Sequence, residues 1–313
     1  MEKEVKPTGY DIIGDIHGHC DELRSLLGKM GYECDETSYF HPGGRQAIFV
    51  GDLIDRGPKV RETLELVHAM HRANRALVII GNHEYNAVGH CTMHHIEADR
   101  PLREMSNGSK KQFQPTVDSF IDRQDEWDQF IDWFKTLPLY LDMGPFRVVH
   151  ACWSQRHIDF IGDRNLDDYE FLQATATNAS PEYQAIETVL KGPELNLPDG
   201  AYLTDHNGIQ RTNIRVKWWE KLEGINYRTL CYPEVATLPD TAVEPPVGGL
   251  SWDIYPAGAP PVYVGHYSLP PIDKPASAGN VTCLDYSIGK GGYLCAVRVN
   301  PRGETETEGF VKA

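Results

Sequence analysis

Near the N-terminus, three short apolar runs each end in a glycine followed by a metal-capable side chain. This regularity constrains the fold more than any other feature. Residues 10–13 lead into Gly14-Asp15, residues 47–50 into Gly51-Asp52, and residues 77–80 into Gly81-Asn82. Between the runs, Leu23, Leu26, Leu27 and Met30, then Val60, Leu64, Val67 and Met70, recur at helical spacing. Short apolar runs alternating with a 3.6-residue period predict β-α-β-α-β, and therefore a parallel sheet with right-handed crossovers. Ligands of such sheets bind beyond the carboxyl ends of the strands. Three strands thus deliver polar residues to one edge.

Each cluster carries chemistry of its own. In Gly14-Asp15-Ile16-His17-Gly18, Asp15 and His17 stand at i and i+2, which puts both side chains on one side at a strand end. Carboxylate plus imidazole suits Mn, Fe, Zn or Ni better than Ca. Alone, the pair reads better as strand-end surface residues. In Gly51-Asp52-Leu53-Ile54-Asp55-Arg56-Gly57, Asp52 repeats on the second strand the place of Asp15, and its two oxygens could bridge two cations. Arg56 offers a planar donor fork matched to a phosphoryl group, although an Asp–Arg pair also suits a surface turn. In Gly81-Asn82-His83-Glu84, Asn82 is a neutral oxygen ligand or a helix N-cap. His83 stands where a general acid could be held near phosphate.

The series GDxHG, GDxxDRG and GNHE, in this order over residues 10–85, resembles the calcineurin-like metallophosphoesterases. The likeness is strongest to the phosphoprotein-phosphatase-type branch, with its bacterial protein phosphatases and symmetrical diadenosine tetraphosphatases. The resemblance implies an α/β fold: a metallophosphoesterase β-sandwich flanked by helices in αββα layers, with a helical cap insertion. It implies two divalent cations, Mn foremost and Fe, Zn, Ni or Mg as alternatives. Asp15, His17 and Asp52 would hold one, and Asp52, Asn82, His150 and His266 the other. His150 follows the apolar run 146–149, in His150-Ala151-Cys152-Trp153 where the family often has HGG or HAG, and Gly265-His266 matches the family's GH. A hydroxide bridging the cations would attack phosphorus, Arg56 would bind the phosphoryl group, and His83, oriented by Asp55, would protonate the leaving oxygen. Arg211 and Arg215 are candidates for a second phosphate contact; with Trp218 and Trp219 they suggest a loop over the substrate, or else a surface amphipathic segment. The expected function is a metal-dependent phosphatase acting on phosphomonoesters, in phosphoprotein or small molecules. The alternative is a pyrophosphohydrolase of dinucleoside polyphosphates such as diadenosine tetraphosphate. The eukaryotic SAPNY motif is absent, which favours the bacterial and dinucleoside-polyphosphate-cleaving members.

Beyond residue 85 the pattern is sparser. Residues 85–137 read as a helical cap, with Trp127, Phe130, Ile131 and Phe134 on one face. Residues 139–141 and 146–150 predict a hairpin back into the sheet. The stretch 155–260 reads as a substrate-side insertion with helices near 167–173 and 181–190. Residues 262–264, 281–284 and 293–299 return as strands, and the polar tail from Pro301 reads as disordered. His90 and His94 could bind metal at i and i+4, but a solvated cap helix is the better reading; His68 and His71 fall on the second helix. At 313 residues with 41% hydrophobic content, one domain is expected. A formal net charge of -15 argues against nucleic acid and anionic membrane as partners. Seven scattered cysteines without CxxC argue against a disulfide framework or thiolate zinc site, and the polar N-terminus and absence of a long apolar run predict a cytoplasmic protein.

Overall fold

A computed structural model describes residues 6–97, 99–204, 210–244, 249–271 and 277–313. Ten strands form two five-stranded sheets. The first three are β1 (Tyr10–Ile13), β2 (Gln46–Phe49) and β3 (Ala76–Val78). They pair in parallel, with Tyr10 opposite Gln46 and Ala47 opposite Ala76. The crossover helices are α1 (Cys20–Lys29) and α2 (Val60–Arg72), and each buries the predicted apolar stripe.

The hairpin β4 (Tyr140–Asp142) and β5 (Arg147–Val149) does form, but it enters a second sheet rather than returning to the first. That sheet continues with β6 (Val262–Val264), β7 (Ser277–Ala278) and β8 (Val281–Cys283) in the order β7-β8-β6-β5-β4. β6 runs parallel to both β5 and β8. β9 (Cys295–Val299) and β10 (Thr305–Lys312) complete the first sheet as β10-β9-β1-β2-β3. The tail expected to be disordered is therefore an edge strand. Its TETEGFVK sequence carries no apolar run because an edge strand faces solvent and is kept polar. The sheets meet through Tyr10 against Phe146, ring centroids 5.3 Å apart, and the Tyr263 hydroxyl near the Gly303 carbonyl at 3.3 Å.

Helices flank the sheets. Among the described residues the cap region holds three helices, α3 (Asn82–Cys91), α4 (Asn107–Ser119) and α5 (Gln124–Thr136), and the described residues between α3 and α4 are not helical. α5 buries Trp127, Phe130, Ile131, Trp133 and Phe134. His94 lies past the end of α3, so His90 and His94 do not share a helix face. α6 (Gln155–Ile161), α7 (Tyr169–Ala176) and α8 (Pro181–Lys191) follow. α7 starts two residues later than the sequence suggests because Asp168 caps it, accepting from the Glu170 and Phe171 amides. All seven cysteines are free. Among the described residues no helix is long and apolar enough to cross a membrane.

Candidate metal centre

Five parallel strands, three from one sheet and two from the other, end at the same place. Asp15 follows β1, Asp52 follows β2, Asn82 opens α3 after β3, His150 follows β5 and His266 follows β6. All five side chains are buried. Small residues make the convergence possible. A Cβ on Gly265 would lie 1.9 Å from Asp15 Oδ1, and one on Gly81 would lie 2.3 Å from the Asp52 amide nitrogen. Gly81, not Asn82, is the N-cap of α3.

Asp52 is the hub. Its Oδ1 lies 3.3 Å from His150 Nε2, and its Oδ2 lies 3.6 Å from His17 Nε2 and 3.7 Å from His83 Nε2. Among the described residues, two groups have ligand-capable atoms within 4.8 Å of one another: His17, Asp52 and His83, and Asp15, Asp52 and His150. Asp52 belongs to both. Asn82 Oδ1 joins the second group, 3.1 Å from His150 Nε2 and 2.7 Å from His266 Nδ1.

The protonation pattern suits cations. His17 Nδ1 faces the Ile54 carbonyl at 2.9 Å and His150 Nδ1 the Val50 carbonyl at 2.7 Å. Each must donate there, which turns the Nε2 lone pair inward, as in metal-ligating histidines. Asp15 Oδ1 and His266 Nε2 are buried without a hydrogen-bond partner. Burial opposes a charge on His150, yet the Asp52 carboxylate, with Asp15 behind it, pushes this imidazole up to about 10, so a proton holds the Nε2 position and a cation binding there would displace it. Burial, with Asp285 and Asp52 nearby, raises Asp15 well above the usual carboxyl range. Burial also drives His17 and His266 well below the ordinary imidazole value, helped by Arg56 and Arg215 respectively. These acceptors face one another across a negative field, an arrangement suited to divalent cations.

Beside the hub, His83 Nδ1 meets Asp55 Oδ2 at 2.5 Å, and its ring lies edge-on to His17. The Arg56 fork lies 2.7 Å from His17 Nε2 and 3.1 Å from His83 Nε2. Two of these positions depend on residues that sequence reasoning missed. From α4, Gln112 Oε1 accepts from Arg56 Nε and Nη2 at 3.3 and 3.2 Å. One turn later, the Thr116 hydroxyl donates to Asp55 Oδ1 at 2.7 Å and accepts the Asp55 amide at 3.1 Å. No local pattern marks either, because both act across 56 and 61 residues of chain. A third missed residue is Glu84. Its buried carboxylate accepts four backbone amides: Asp52 at 2.8, Leu53 at 2.8, Ile54 at 3.2 and Gly81 at 3.0 Å. Burial and the Asp52 charge push this carboxyl up to about 7, while the Ile54 amide opposes them. Four donors on two oxygens are the partners of the ionised form. The GNHE motif signals Glu84, whose position at N3 also matches a capping box.

The backbone at these residues is strained. His17 (φ 46°), Asp52 (φ 52°), Asp55 (φ 74°), Arg56 (φ 66°) and His266 (φ 69°) all occupy the left-handed region, where non-glycine residues are rare outside sites that hold them there.

The two candidate arginines part company. Arg215, half-buried, directs Nη1 at the His266 carbonyl at 3.5 Å and so stands at the centre. Arg211 is exposed, on a two-residue strand paired with Leu203–Thr204. Residues 208 and 209 of that segment, and His206, lie outside the described residues. Trp218 and Trp219 form no loop over the substrate. Trp218 is fully buried, donating to the Tyr267 hydroxyl at 3.0 Å, and Trp219 packs on Trp218 and Tyr232.

Known proteins resemble this chain in sequence and in fold. An asymmetrical bis(5'-nucleosyl)-tetraphosphatase, PrpE, of Geobacillus sp. strain WCH70 is 34% identical over 154 residues, 49% of this chain and 59% of that protein. The namesake from Halalkalibacterium halodurans is 51% identical over 74 residues, 24% of this chain and 30% of its own. The chain thus spans between 30% and 59% of these two relatives. Among solved structures, a protein serine/threonine phosphatase from Saccharomyces cerevisiae superposes with a TM-score of 0.52 at 13% identity, covering 98% of this chain and 79% of that one. That likeness bears on the fold alone. The family described as calcineurin-like phosphoesterase matches residues 10–267, a span that takes in all five converging strand ends, and the chain belongs to it.

Proposed function

We propose that this protein hydrolyses phosphoric esters and anhydrides with two divalent cations, and that dinucleoside polyphosphates are its substrates. The observation that carries the reading is the convergence on Asp52 of the inward Nε2 atoms of His17 and His150, with the buried, unpartnered Asp15 Oδ1 alongside. Asp15, His17 and Asp52 would hold one cation, and Asp52, Asn82, His150 and His266 the other. Bound there, the cations would supply an activated water and neutralise charge on phosphorus; the mixed carboxylate and imidazole donors suit Mn, Fe, Zn or Ni, and Mn is the metal we propose.

The chain's own groups supply the rest. Arg56 stands with both guanidinium nitrogens toward the centre and would bind two phosphoryl oxygens. Gln112 holds the same guanidinium from behind. His83, oriented by Asp55, would give its Nε2 proton to the leaving oxygen. Thr116 fixes Asp55 and so the angle of the imidazole.

The relatives' name shifts the preferred substrate from the phosphomonoesters expected from sequence to dinucleoside polyphosphates, and names asymmetrical rather than symmetrical cleavage. The test is purified protein with Mn²⁺ and diadenosine tetraphosphate, with products separated by ion-exchange chromatography. ATP plus AMP is the expected outcome. Two ADP molecules would show symmetrical cleavage. Release of phosphate from a phosphopeptide, with diadenosine tetraphosphate untouched, would restore the monoesterase reading.

A further inference from the structure

We infer that Lys191 and Arg103, continuing from Arg215, form a second anion site that receives a distal phosphate of a substrate bearing a phosphate chain. The inference rests on the phosphohydrolase reading above and names what selects a chain over a single phosphate.

The site is built from three separate elements. Arg215 lies against His266. Lys191 ends α8, and that end is docked on the metal centre: the Val189 carbonyl accepts the amides of Ala151 and Cys152, just after His150, at 3.1 and 3.2 Å. Arg103 approaches from the cap. Its amide donates to the Gly89 carbonyl of α3 at 2.9 Å, and its guanidinium lies 4.7 Å from the Tyr85 ring centroid, with Nη1 3.0 Å from the Tyr85 hydroxyl. Tyr85 is one helical turn along α3 from Asn82.

These three cations share few carboxylates. Glu187 accepts from Arg103 at 2.9 Å and from Lys191 at 2.7 Å. Among the described residues, no carboxylate pairs with Arg215. Glu194, its neighbour across the β-pairing, is engaged by the Asn213 side chain. Lys191 registers the crowding: burial first, then Arg103 and Arg215, hold its ammonium below the ordinary value against the pull of Glu187. Side-chain exposures of 17% for Arg103 and 26% for Lys191 leave both reachable but poorly hydrated, where an anion is held more tightly than at an open surface. This concentration of positive charge is local in a chain of net charge -15. A diphosphate unit anchored at Arg56 and the cations would extend toward it.

The test uses the full Mn²⁺-loaded chain and titration calorimetry with methylphosphonate and methylenediphosphonate, neither of which is hydrolysed. Lys191→Gln is expected to weaken the diphosphonate about tenfold and the monophosphonate less than about twofold; Lys191→Arg restores binding to within about threefold. Glu187→Gln, which removes the competing carboxylate, tightens the diphosphonate, whereas simple structural damage would weaken both ligands. Equal loss of the two phosphonates in Lys191→Gln, or no loss of either, overturns the inference. Because the contrast is read without turnover, its failure is distinct from failure of the functional reading, which shows as no hydrolysis of any phosphoester with Mn²⁺.

Discussion

Glu84→Gln tests how the centre is assembled. The substitution keeps the shape of the side chain and removes its charge. In the native site each carboxylate oxygen serves two amides: Oε1 takes Leu53 and Ile54, and Oε2 takes Asp52 and Gly81. A carboxamide can accept on one oxygen only, so its NH₂ group would confront two buried N–H donors. At about 1–3 kcal/mol for each buried donor left unpaired, the cost is about 2–6 kcal/mol. That is a large share of the ~5–15 kcal/mol that keeps a typical domain folded. Guanidinium denaturation followed by circular dichroism should show a lower midpoint with an unchanged slope. The same variant should lose metal, because the amide of Asp52 is among the four that this carboxylate holds in place. A Glu84→Gln protein within about 0.5 kcal/mol of wild type and with full metal content would refute this account.

The other expectations follow from the same geometry. His83→Ala should lower turnover about 10²–10⁴-fold while metal content by elemental analysis stays near wild type; loss of metal would make His83 a ligand instead. Asp52→Asn should lower occupancy of both metal positions, and unchanged two-metal content would refute the hub role of this carboxylate. Gln112→Ala should lower kcat/KM about tenfold, or about 1.4 kcal/mol, through a loosened Arg56, with little change in stability; wild-type kinetics would separate the cap from the chemistry. Thr116→Val leaves the buried Asp55 amide without an acceptor, so a stability loss of about 1–3 kcal/mol is expected by denaturant titration, together with slower turnover.

What the sequence made legible was local. β1, β2 and β3 announce themselves as apolar runs ending in glycine, and their ligands follow within three residues of that glycine. His150 and His266 were reachable because each closes a run of the same kind. The pairing of the strands was not reachable: nothing in residues 139–150 says whether that hairpin adds to β3 or begins a second sheet, since either choice buries the same side chains. β10 escaped notice because an edge strand has no second neighbour to demand apolar residues. Gln112 and Thr116 sit among ordinary polar helix residues, and only the packing of α4 over residues 55 and 56 gives them meaning. Trp218 misled in the opposite direction. An indole beside arginines suggested a ligand surface, but its N–H found Tyr267 in the interior.

The left-handed backbone at His17, Asp52, Asp55, Arg56 and His266 has a consequence for the life of the protein in a cell. Each such residue carries a conformational cost, on the order of 1 kcal/mol, smaller for Asp and His than for Arg. Five together are comparable with the whole margin that separates folded chain from unfolded. Cations that bind only the folded form would offset that cost by mass action. Metal starvation would then lower the amount of the protein as well as its rate. Proteases would find the loops after β1 and β2 loosened first, so abundance would report on the metal supply.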